Sequence, residues 1–244
     1  MKKPIAIVTG AAKGIGNAIC KRLINDDYFI VAVDLDPNPE ALANELSAGT
    51  CQYEMVNISN ENQVKELFAR IINAHGYISA VVNNAGIILD NMIWNMSVDD
   101  FDAVINVNLK GTWLMCREAA IAMKRQNSGR IVNIASRAWL GNRGQSNYSA
   151  SKAGVVALTR VLALELGKYN VSVNAVAPGL IDTPLTQKLE KEVLQQLINA
   201  QPSKSMGKPS DVANAVSFLV SDNTGFITGQ TIYVDGGKSI GANV

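Results

Sequence analysis

Short apolar runs rich in Val, Ile and Ala recur along the chain, and longer stretches with helical spacing separate them. Several runs are continuous rather than alternating, which is typical of parallel strands buried on both faces. This rhythm predicts an α/β fold with a doubly wound parallel sheet and helices on both faces. The predicted strands are Ile5–Val8, Phe29–Val33, Gln52–Val56, Ile78–Val82, Arg130–Ala135, Ser172–Ala177 and Thr231–Val234.

The predicted helices lie between these strands. Asn62–Asn73 places its apolar residues on one face, and a long helix rich in small residues runs from Tyr148 to about Lys168. No linker or repeat interrupts the rhythm, so residues 1–244 are predicted to form one catalytic domain. Residues 178–207 depart from the rhythm, with a predicted helix at Leu185–Ala200. An insertion at the carboxyl end of a strand is well placed to cover a substrate; the alternative is a plain connection.

Composition narrows the classes of function. The 244 residues contain 22 Lys and Arg against 21 Asp and Glu, a net charge of +1, without a basic run. This argues against a nucleic-acid partner, and no apolar stretch predicts a signal peptide or a membrane span. The three cysteines are scattered, and His75 has no metal-ligating neighbours. We therefore expect a cytoplasmic protein without a metal site.

A glycine-rich turn links the first predicted strand to a helix from about Asn17 to Asn25. Its sequence is Thr9-Gly10-Ala11-Ala12-Lys13-Gly14-Ile15-Gly16. Glycines permit a tight turn and close approach of the backbone to a pyrophosphate, and the helix N-terminus adds free N–H groups. A glycine turn alone is a weak signal and a purely structural turn is the alternative, but the position between strand and helix favours a dinucleotide.

Asp34 ends the second predicted strand. A carboxylate there can accept hydrogen bonds from both ribose hydroxyls and would repel a 2′-phosphate. Lys13 could pair with that phosphate, but one exposed contact would recover less than two adjacent anions cost. NAD is therefore the predicted cofactor, with NADP as the alternative.

Three residues predict acid–base chemistry. Ser136 follows the fifth strand, Tyr148 comes twelve residues later, and Lys152 follows Tyr148 by one helical turn. An i, i+4 pair shares one helix face, so the ammonium can approach the phenol. Together with the positive nicotinamide of NAD⁺, it is expected to lower the pKa of the phenol toward neutrality. Ser136 can then hydrogen-bond a substrate oxygen. A Tyr-x-x-x-Lys spacing alone is common by chance, and only the combination with Ser136 and the glycine turn is informative.

With these motifs the chain resembles the short-chain dehydrogenase/reductase family along its whole length, from Thr9 to Asp235-Gly236-Gly237. The resemblance implies a Rossmann-type seven-stranded sheet of order 3-2-1-4-5-6-7. It implies a catalytic set of Asn108, Ser136, Tyr148 and Lys152, in which Asn108 binds a water that links the lysine to solvent. It also implies a homotetramer in which two helices, from about Leu114 to Ala122 and from Ala150 to Leu166, pair with their copies.

The resemblance further implies a set of cofactor contacts. Asn57 and Ile58 stand where relatives usually have Asp and Val beside the adenine, and we expect the Asn57 carbonyl to accept from the adenine amine. The full predicted set is Gly10, Ala12, Lys13, Gly14, Ile15, Gly16, Asp34, Leu35, Asn57, Ile58, Asn84, Ala85, Gly86, Tyr148, Lys152, Pro178, Gly179, Ile181 and Thr183.

The sequence thus predicts an oxidoreductase that interconverts a secondary alcohol and a ketone with NAD(H), Tyr148 acting as the acid and base. The first alternative is an NADPH-dependent 3-oxoacyl-(acyl carrier protein) reductase, which the chain resembles closely and which would act on a 3-oxoacyl thioester. A catalytically silent NAD-binding regulator is the alternative from a different class. The substrate pocket is predicted near Met92, Trp94, Met96, Trp139 and Leu140, with ordinary packing as the other interpretation.

Overall fold

The computed structural model describes residues 3–36 and 49–240. Seven parallel strands form one sheet in the order β3-β2-β1-β4-β5-β6-β7, as the family resemblance implies. The strands are β1 Ile5–Thr9, β2 Phe29–Asp34, β3 Cys51–Met55, β4 Ala80–Asn83, β5 Gly129–Ile134, β6 Val171–Pro178 and β7 Thr231–Val234. Each begins and ends within two residues of the predicted run.

Helices cover the sheet, and in the described residues they are α1 Gly14–Asn25, α2 Glu61–His75, α3 Val98–Ile105, α4 Thr112–Gln126, α5 Ser146–Leu166, α6 Lys191–Asn199 and α7 Pro209–Val220. Successive strand residues point to opposite faces. Ile5 and Ile7 pack with α2, α4 and α5, whereas Ala6 and Val8 pack with α1 and α7. Both faces are therefore buried, which is why the strands are continuously apolar.

The α2 helix shows how the sequence sets its own boundaries. The side chain of Asn60 accepts hydrogen bonds from the backbone N–H groups of Asn62 and Gln63 at the start. Gly76 ends the helix with φ of +86°, a backbone conformation that glycine adopts without strain. His75, the last residue of the helix, hydrogen-bonds Gln52 and belongs to no metal-binding group of the described residues.

The predicted helix at Leu185–Ala200 is wrong in its first half. Thr186–Lys188 forms a 3-10 turn, Leu189 is extended, and only Lys191–Asn199 is α-helical. The Thr186 hydroxyl donates to the carbonyl of Ile181 and accepts from the backbone N–H of Thr183. Such local bonds between a side chain and the backbone compete with helix formation.

The order of the strands reverses between β1 and β4, so a crevice opens at their carboxyl ends. The Thr9 hydroxyl accepts the backbone N–H groups of Asn84 and Ala85, both at 3.0 Å. These bonds bring the turn after β1 against the turn after β4. Among the helices of the described residues, none combines the length and apolar character needed to cross a bilayer.

Close packing in this turn predicts a sensitive position at Gly16. A Cβ atom added there would overlap the carbonyl oxygen of Gly10. We expect Gly16→Ala to lower the free energy of unfolding by about 1–3 kcal/mol, as measured by urea denaturation.

Gly167→Ala is the matched control, because a Cβ atom at Gly167 meets nothing within 4 Å. We expect this control to stay within about 1 kcal/mol of the unsubstituted protein. Equal effects of the two substitutions would contradict the close packing at Gly16.

Candidate active site

The glycine turn is shaped by its contact with the end of β4. Gly10 has φ of +64°, and a Cβ atom there would lie 2.8 Å from Cα of Ala85. The Asn84 side chain donates to the carbonyls of Thr9 and Gly10, both at 3.0 Å. The turn therefore requires glycine for its backbone angle and for the space. The hydrogen bonds of Asn84 and the contact with Ala85 hold the turn in place.

The N-terminus of α1 opens into the crevice. The helix begins at Gly14, three residues earlier than predicted, and Lys13 at its N-cap makes no side-chain cap hydrogen bond. The first N–H groups of a helix lack partners within the helix, and together with the helix dipole they favour an anion. Thr183 and Pro184 lie close to this end of the helix: a Cβ atom at Gly14 would be 3.7 Å from the Thr183 side chain.

Asp34 lies at the carboxyl end of β2, as predicted, beside the glycine turn. One carboxylate oxygen accepts the N–H of Ala12 at 2.9 Å, and the other accepts the N–H groups of Leu35 at 2.7 Å and Asp36 at 3.2 Å. The first oxygen keeps capacity for one further hydrogen bond, whereas the second already accepts two. The carboxylate is thus oriented by the backbone at the edge of the crevice, where the sequence predicts a ribose.

The predicted role of Asn57 does not agree with its surroundings. Its side-chain oxygen accepts both the N–H and the hydroxyl of Ser59, at 3.0 and 2.7 Å. A carbonyl oxygen has two lone pairs, so the Asn57 oxygen is already occupied and is not available to an adenine amine. Ile58 is buried, and its side chain packs against Gly111.

Ser136, Tyr148 and Lys152 come together at the carboxyl end of β5. The Ser136 Oγ accepts the N–H of Ala138 at 3.1 Å, and the Ser136 hydroxyl lies close enough to the Tyr148 phenol to favour the ionised form of that phenol. Lys152 is buried and donates from Nζ to the carbonyl of Ile134 at 2.7 Å. The same Nζ lies 5.7 Å from the centre of the Tyr148 ring. The structure brings the predicted trio into one site.

Burial, rather than the charge of Lys152, dominates the titration of this site. It raises the pKa of Tyr148 above its usual value; the nearby Ser136 hydroxyl opposes the rise, and Asp90 adds to it. Burial also lowers the pKa of Lys152 to about 8. The predicted lowering of the Tyr148 pKa by Lys152 and the nicotinamide together is therefore not produced by Lys152 alone, because low polarity disfavours each charge separately.

Asn108 lies in a π-helical segment, Asn106–Gly111, between α3 and α4. Its side chain is fully buried: the oxygen accepts the N–H of Ile87, and the amide donates to the Ile87 carbonyl and to Ser151. A Cβ atom at Gly86 would lie 3.1 Å from the Asn108 oxygen and 3.6 Å from Nζ of Lys152. Asn108, Gly86 and Lys152 are thus in close contact, and Gly86 leaves room for the other two.

Sequence reasoning missed two residues that position Tyr148. Asn147 is fully buried; its amide donates to the Leu89 carbonyl at 2.8 Å, and its oxygen accepts the N–H of Tyr148 at 2.6 Å. Gln145 donates to the Asp90 carboxylate at 2.7 Å. The only available signal was their place directly before Tyr148, which alone does not distinguish them from surface residues.

A cavity of about 540 Å³ lies beside the start of α5. Met92 and Trp94 line it, as predicted for a substrate pocket. Trp139 instead packs against the buried cluster that includes Val155 and Ala177, which is the alternative of ordinary packing. The walls are formed by Asn91, Met92, Ile93, Trp94, Gly141, Asn142, Arg143, Gly144, Gln145, Ser146 and Ser149. We call this space the loop cavity.

The segment that follows β6 leaves the sheet, and its two ends lie next to each other. The N–H of Asp182 donates to the Gly207 carbonyl at 2.8 Å, and the N–H of Gly207 donates to the Leu180 carbonyl at 3.0 Å. Gly179 packs closely against Asp235, since a Cβ atom there would lie 2.7 Å from its Cα. Residues 180–207 therefore form an excursion that is closed at its base.

Comparison with known proteins agrees with this geometry. A family profile described as "Enoyl-(Acyl carrier protein) reductase" matches residues 10–239. The chain is 42% identical over 239 residues to the (2S)-[(R)-hydroxy(phenyl)methyl]succinyl-CoA dehydrogenase subunit BbsD of Thauera aromatica, covering 97% of this chain and 96% of the relative. It is 39% identical over 240 residues to a 3-oxoacyl-(acyl-carrier-protein) reductase of Thermotoga maritima, covering 97% and 98%.

A solved structure has the same architecture. The crystal structure of levodione reductase superimposes with a TM-score of 0.93 at 30% identity and covers 98% of each chain. Both the sequence and the fold therefore match along nearly the whole length. The chain belongs to the short-chain dehydrogenase/reductase family, and is an oxidoreductase of that family acting on alcohol and keto groups.

Proposed function

We propose that this enzyme interconverts a secondary alcohol and a ketone with NAD(H), and that Tyr148 is its acid and base. The observation that carries this proposal is the half-buried Tyr148, whose phenol lies beside the Ser136 hydroxyl, with the Lys152 ammonium 5.7 Å from its ring. A phenol in this setting can exchange a proton with a substrate oxygen that also reaches Ser136.

The crevice fits a nicotinamide dinucleotide. Its phosphates would meet the uncapped N-terminus of α1 at Gly14, and the close approach at Gly10 leaves no room for a side chain. Ala12, Ile15 and Gly16 belong to the same turn, and Gly86, Pro178, Gly179, Ile181 and Thr183 would contact the rest of the cofactor. When bound, the nicotinamide supplies or accepts the hydride.

The chain's own residues handle the proton. During ketone reduction Tyr148 gives its phenolic proton to the carbonyl oxygen, while Ser136 donates a hydrogen bond to the same oxygen and orients it. The phenolate that remains lies beside the Lys152 ammonium, which stabilises it. During alcohol oxidation the phenolate removes the hydroxyl proton instead. Asn108 contributes by fixing the segment at Gly86 against Lys152.

The preference for NAD(H) follows from Asp34. Its carboxylate is oriented by three backbone N–H groups, and the oxygen that accepts only the N–H of Ala12 keeps capacity for a ribose hydroxyl. A 2′-phosphate at that place would bring two anions together, and Lys13 lies exposed at the turn. We therefore favour NAD(H). NADPH-dependent reduction of a 3-oxoacyl thioester is the alternative supported by the relative from Thermotoga maritima.

Two surfaces extend the proposal. Residues 178–207 are proposed to cover the substrate, because α6 buries none of its residues and leaves Val193 and Leu197 exposed.

The outer sides of α4 and α5 expose Trp113 and Leu164, the latter at 87%. Such apolar exposure is typical of an interface, which supports the proposed homotetramer. A catalytically silent regulator is disfavoured, because it would be free to lose Ser136, Tyr148 and Lys152, and this chain has all three.

Substitution of Tyr148 tests the chemistry. We expect Tyr148→Phe to lower kcat by at least about 100-fold, because the acid and base is lost, while NADH binding measured by calorimetry stays unchanged. Tyr77→Phe is the control: its hydroxyl donates only to the Lys3 carbonyl, before the amino ends of β4 and β1 and at the opposite end of these strands from the site. Unchanged turnover in Tyr148→Phe would contradict the mechanism.

Cofactor preference tests the role of Asp34. We expect kcat/KM to favour NADH over NADPH, and Asp34→Asn to reduce that ratio by about tenfold or more because the repulsion of the 2′-phosphate is removed. Both cofactors are measured with the same ketone. A preference of the unsubstituted enzyme for NADPH would contradict the assignment and favour the 3-oxoacyl reductase.

The raised Tyr148 pKa predicts different pH dependences for the two directions. Alcohol oxidation needs the phenolate, so kcat/KM for oxidation should rise from neutral to alkaline pH. Ketone reduction needs the protonated phenol and should not rise over that range. A pH profile of each direction measures this, and an oxidation profile that is flat in pH would argue against Tyr148 as the base.

A further inference from the structure

The loop cavity contains one charged side chain, that of Arg143. The cavity's other lining residues are neutral, and Arg143 forms no ion pair with a carboxylate of residues 3–36 or 49–240. Asp90, which directly precedes the wall residue Asn91 in the sequence, receives a hydrogen bond from Gln145. Arg143 therefore brings an unneutralised positive charge to the cavity.

The backbone holds Arg143 on a fixed loop. Gly141 and Gly144 flank it with φ of +111° and +81°, conformations that bend the chain sharply on either side. The carbonyl of Gly144 accepts the N–H of Asn91 at 2.9 Å, and Asn142 donates to Gln145 at 2.9 Å. These bonds tie the Arg143 loop to the opposite wall of the cavity, which is formed by Asn91–Trp94.

A second wall residue lacks a hydrogen-bond partner. The Ser149 hydroxyl is buried and makes no hydrogen bond within the described residues, although Ser149 lines the loop cavity. A buried hydroxyl without a partner is unfavourable. A rotation of the Ser149 side chain about its Cα–Cβ bond would bring the hydroxyl to an oxygen of a ligand in the cavity and satisfy it. Ser149 directly follows Tyr148, so their Cα atoms are about 3.8 Å apart. The cavity is thus adjacent to the proposed acid and base.

The remaining wall is apolar. Ile93 and Trp94 are 68% and 72% exposed, and both line the loop cavity. Large apolar side chains left in water on a cavity wall favour a ligand that covers them. The cavity thus combines an unpaired cation, an unpartnered hydroxyl and an apolar surface beside Tyr148.

From this combination we propose that the loop cavity is an anion subsite, and that the substrate is a ketone or alcohol carrying a negatively charged oxygen group next to an apolar portion. Arg143 pairs with the anion, Ser149 donates to it, and Ile93 and Trp94 cover the apolar portion. This inference rests on the proposed function. The anion is either a carboxylate of the substrate or a phosphate of a coenzyme A thioester, since a guanidinium binds both groups in the same way.

Matched ketones test the subsite. The probes are 4-oxo-4-phenylbutanoate and its methyl ester, and the coenzyme A and N-acetylcysteamine thioesters of one 3-oxo acid. Within the first pair only the charge of the carboxyl group changes. Within the second pair the N-acetylcysteamine thioester keeps the 3-oxoacyl group and lacks the phosphate-bearing nucleotide portion of coenzyme A. We compare the unsubstituted enzyme with Arg143→Ala and Arg143→Lys, and use Arg125→Ala as the control. Arg125 is exposed in the last turn of α4, outside the loop cavity.

We expect Arg143→Ala to raise KM for the charged member of one pair by about tenfold or more, with kcat and the KM of the neutral member unchanged. An effect on the keto acid identifies a carboxylate, and an effect on the coenzyme A thioester identifies a phosphate. Arg143→Lys should recover part of the loss, and Arg125→Ala should match the unsubstituted enzyme.

Two further outcomes separate the subsite from the activity. If Arg143→Ala changes both members of each pair equally, or changes neither, the anion subsite is wrong while the ketone reduction stands. If the unsubstituted enzyme reduces none of the four ketones with either NADH or NADPH, the proposed function itself is contradicted, and the subsite falls with it.

Discussion

The contact between the ends of β1 and β4 is the constraint on which the rest of the site depends. Here, where the order of the strands reverses, the Thr9 hydroxyl accepts two backbone N–H groups, and the Asn84 amide donates to two carbonyls. Buried backbone groups need such partners, so the two turns can approach only in one arrangement. That arrangement gives the glycine turn its shape and, two residues after Asn84, places Gly86 against Lys152.

On the catalytic side the side chains of Asn108 and Lys152 are buried and held by hydrogen bonds to the backbone. Asn108 binds both backbone groups of Ile87 from a π-helical segment of the chain. Such segments are uncommon and frequent at functional sites. Lys152 is likewise held by the Ile134 carbonyl. The geometry of the site is therefore a property of the core and not of mobile surface groups.

The sequence predicted the strands well because burial on both faces gives continuous apolar runs, and it predicted the glycine turn, Asp34 and the Ser136–Tyr148–Lys152 trio because their spacing is local. It failed where partners are distant or compete. After Leu185 the hydrogen bond from the Thr186 hydroxyl to the Ile181 carbonyl competes with the predicted helix. The Asn57 oxygen accepts two hydrogen bonds from Ser59. Asn147 was missed because its role depends on the carbonyl of Leu89, 58 residues away along the chain.

The pKa shifts of Tyr148 and Lys152 have one origin, which is burial. This shared origin explains how an environment that disfavours charge can still support proton transfer. Burial raises the pKa of Tyr148 and lowers that of Lys152, so each group alone prefers its neutral form. When Tyr148 gives up its proton, the new anion lies beside a cation with little water between them, and their attraction is stronger than it would be at the surface. A site that disfavours either charge alone therefore tolerates the pair, and Lys152 matters most at the moment when the proton leaves Tyr148.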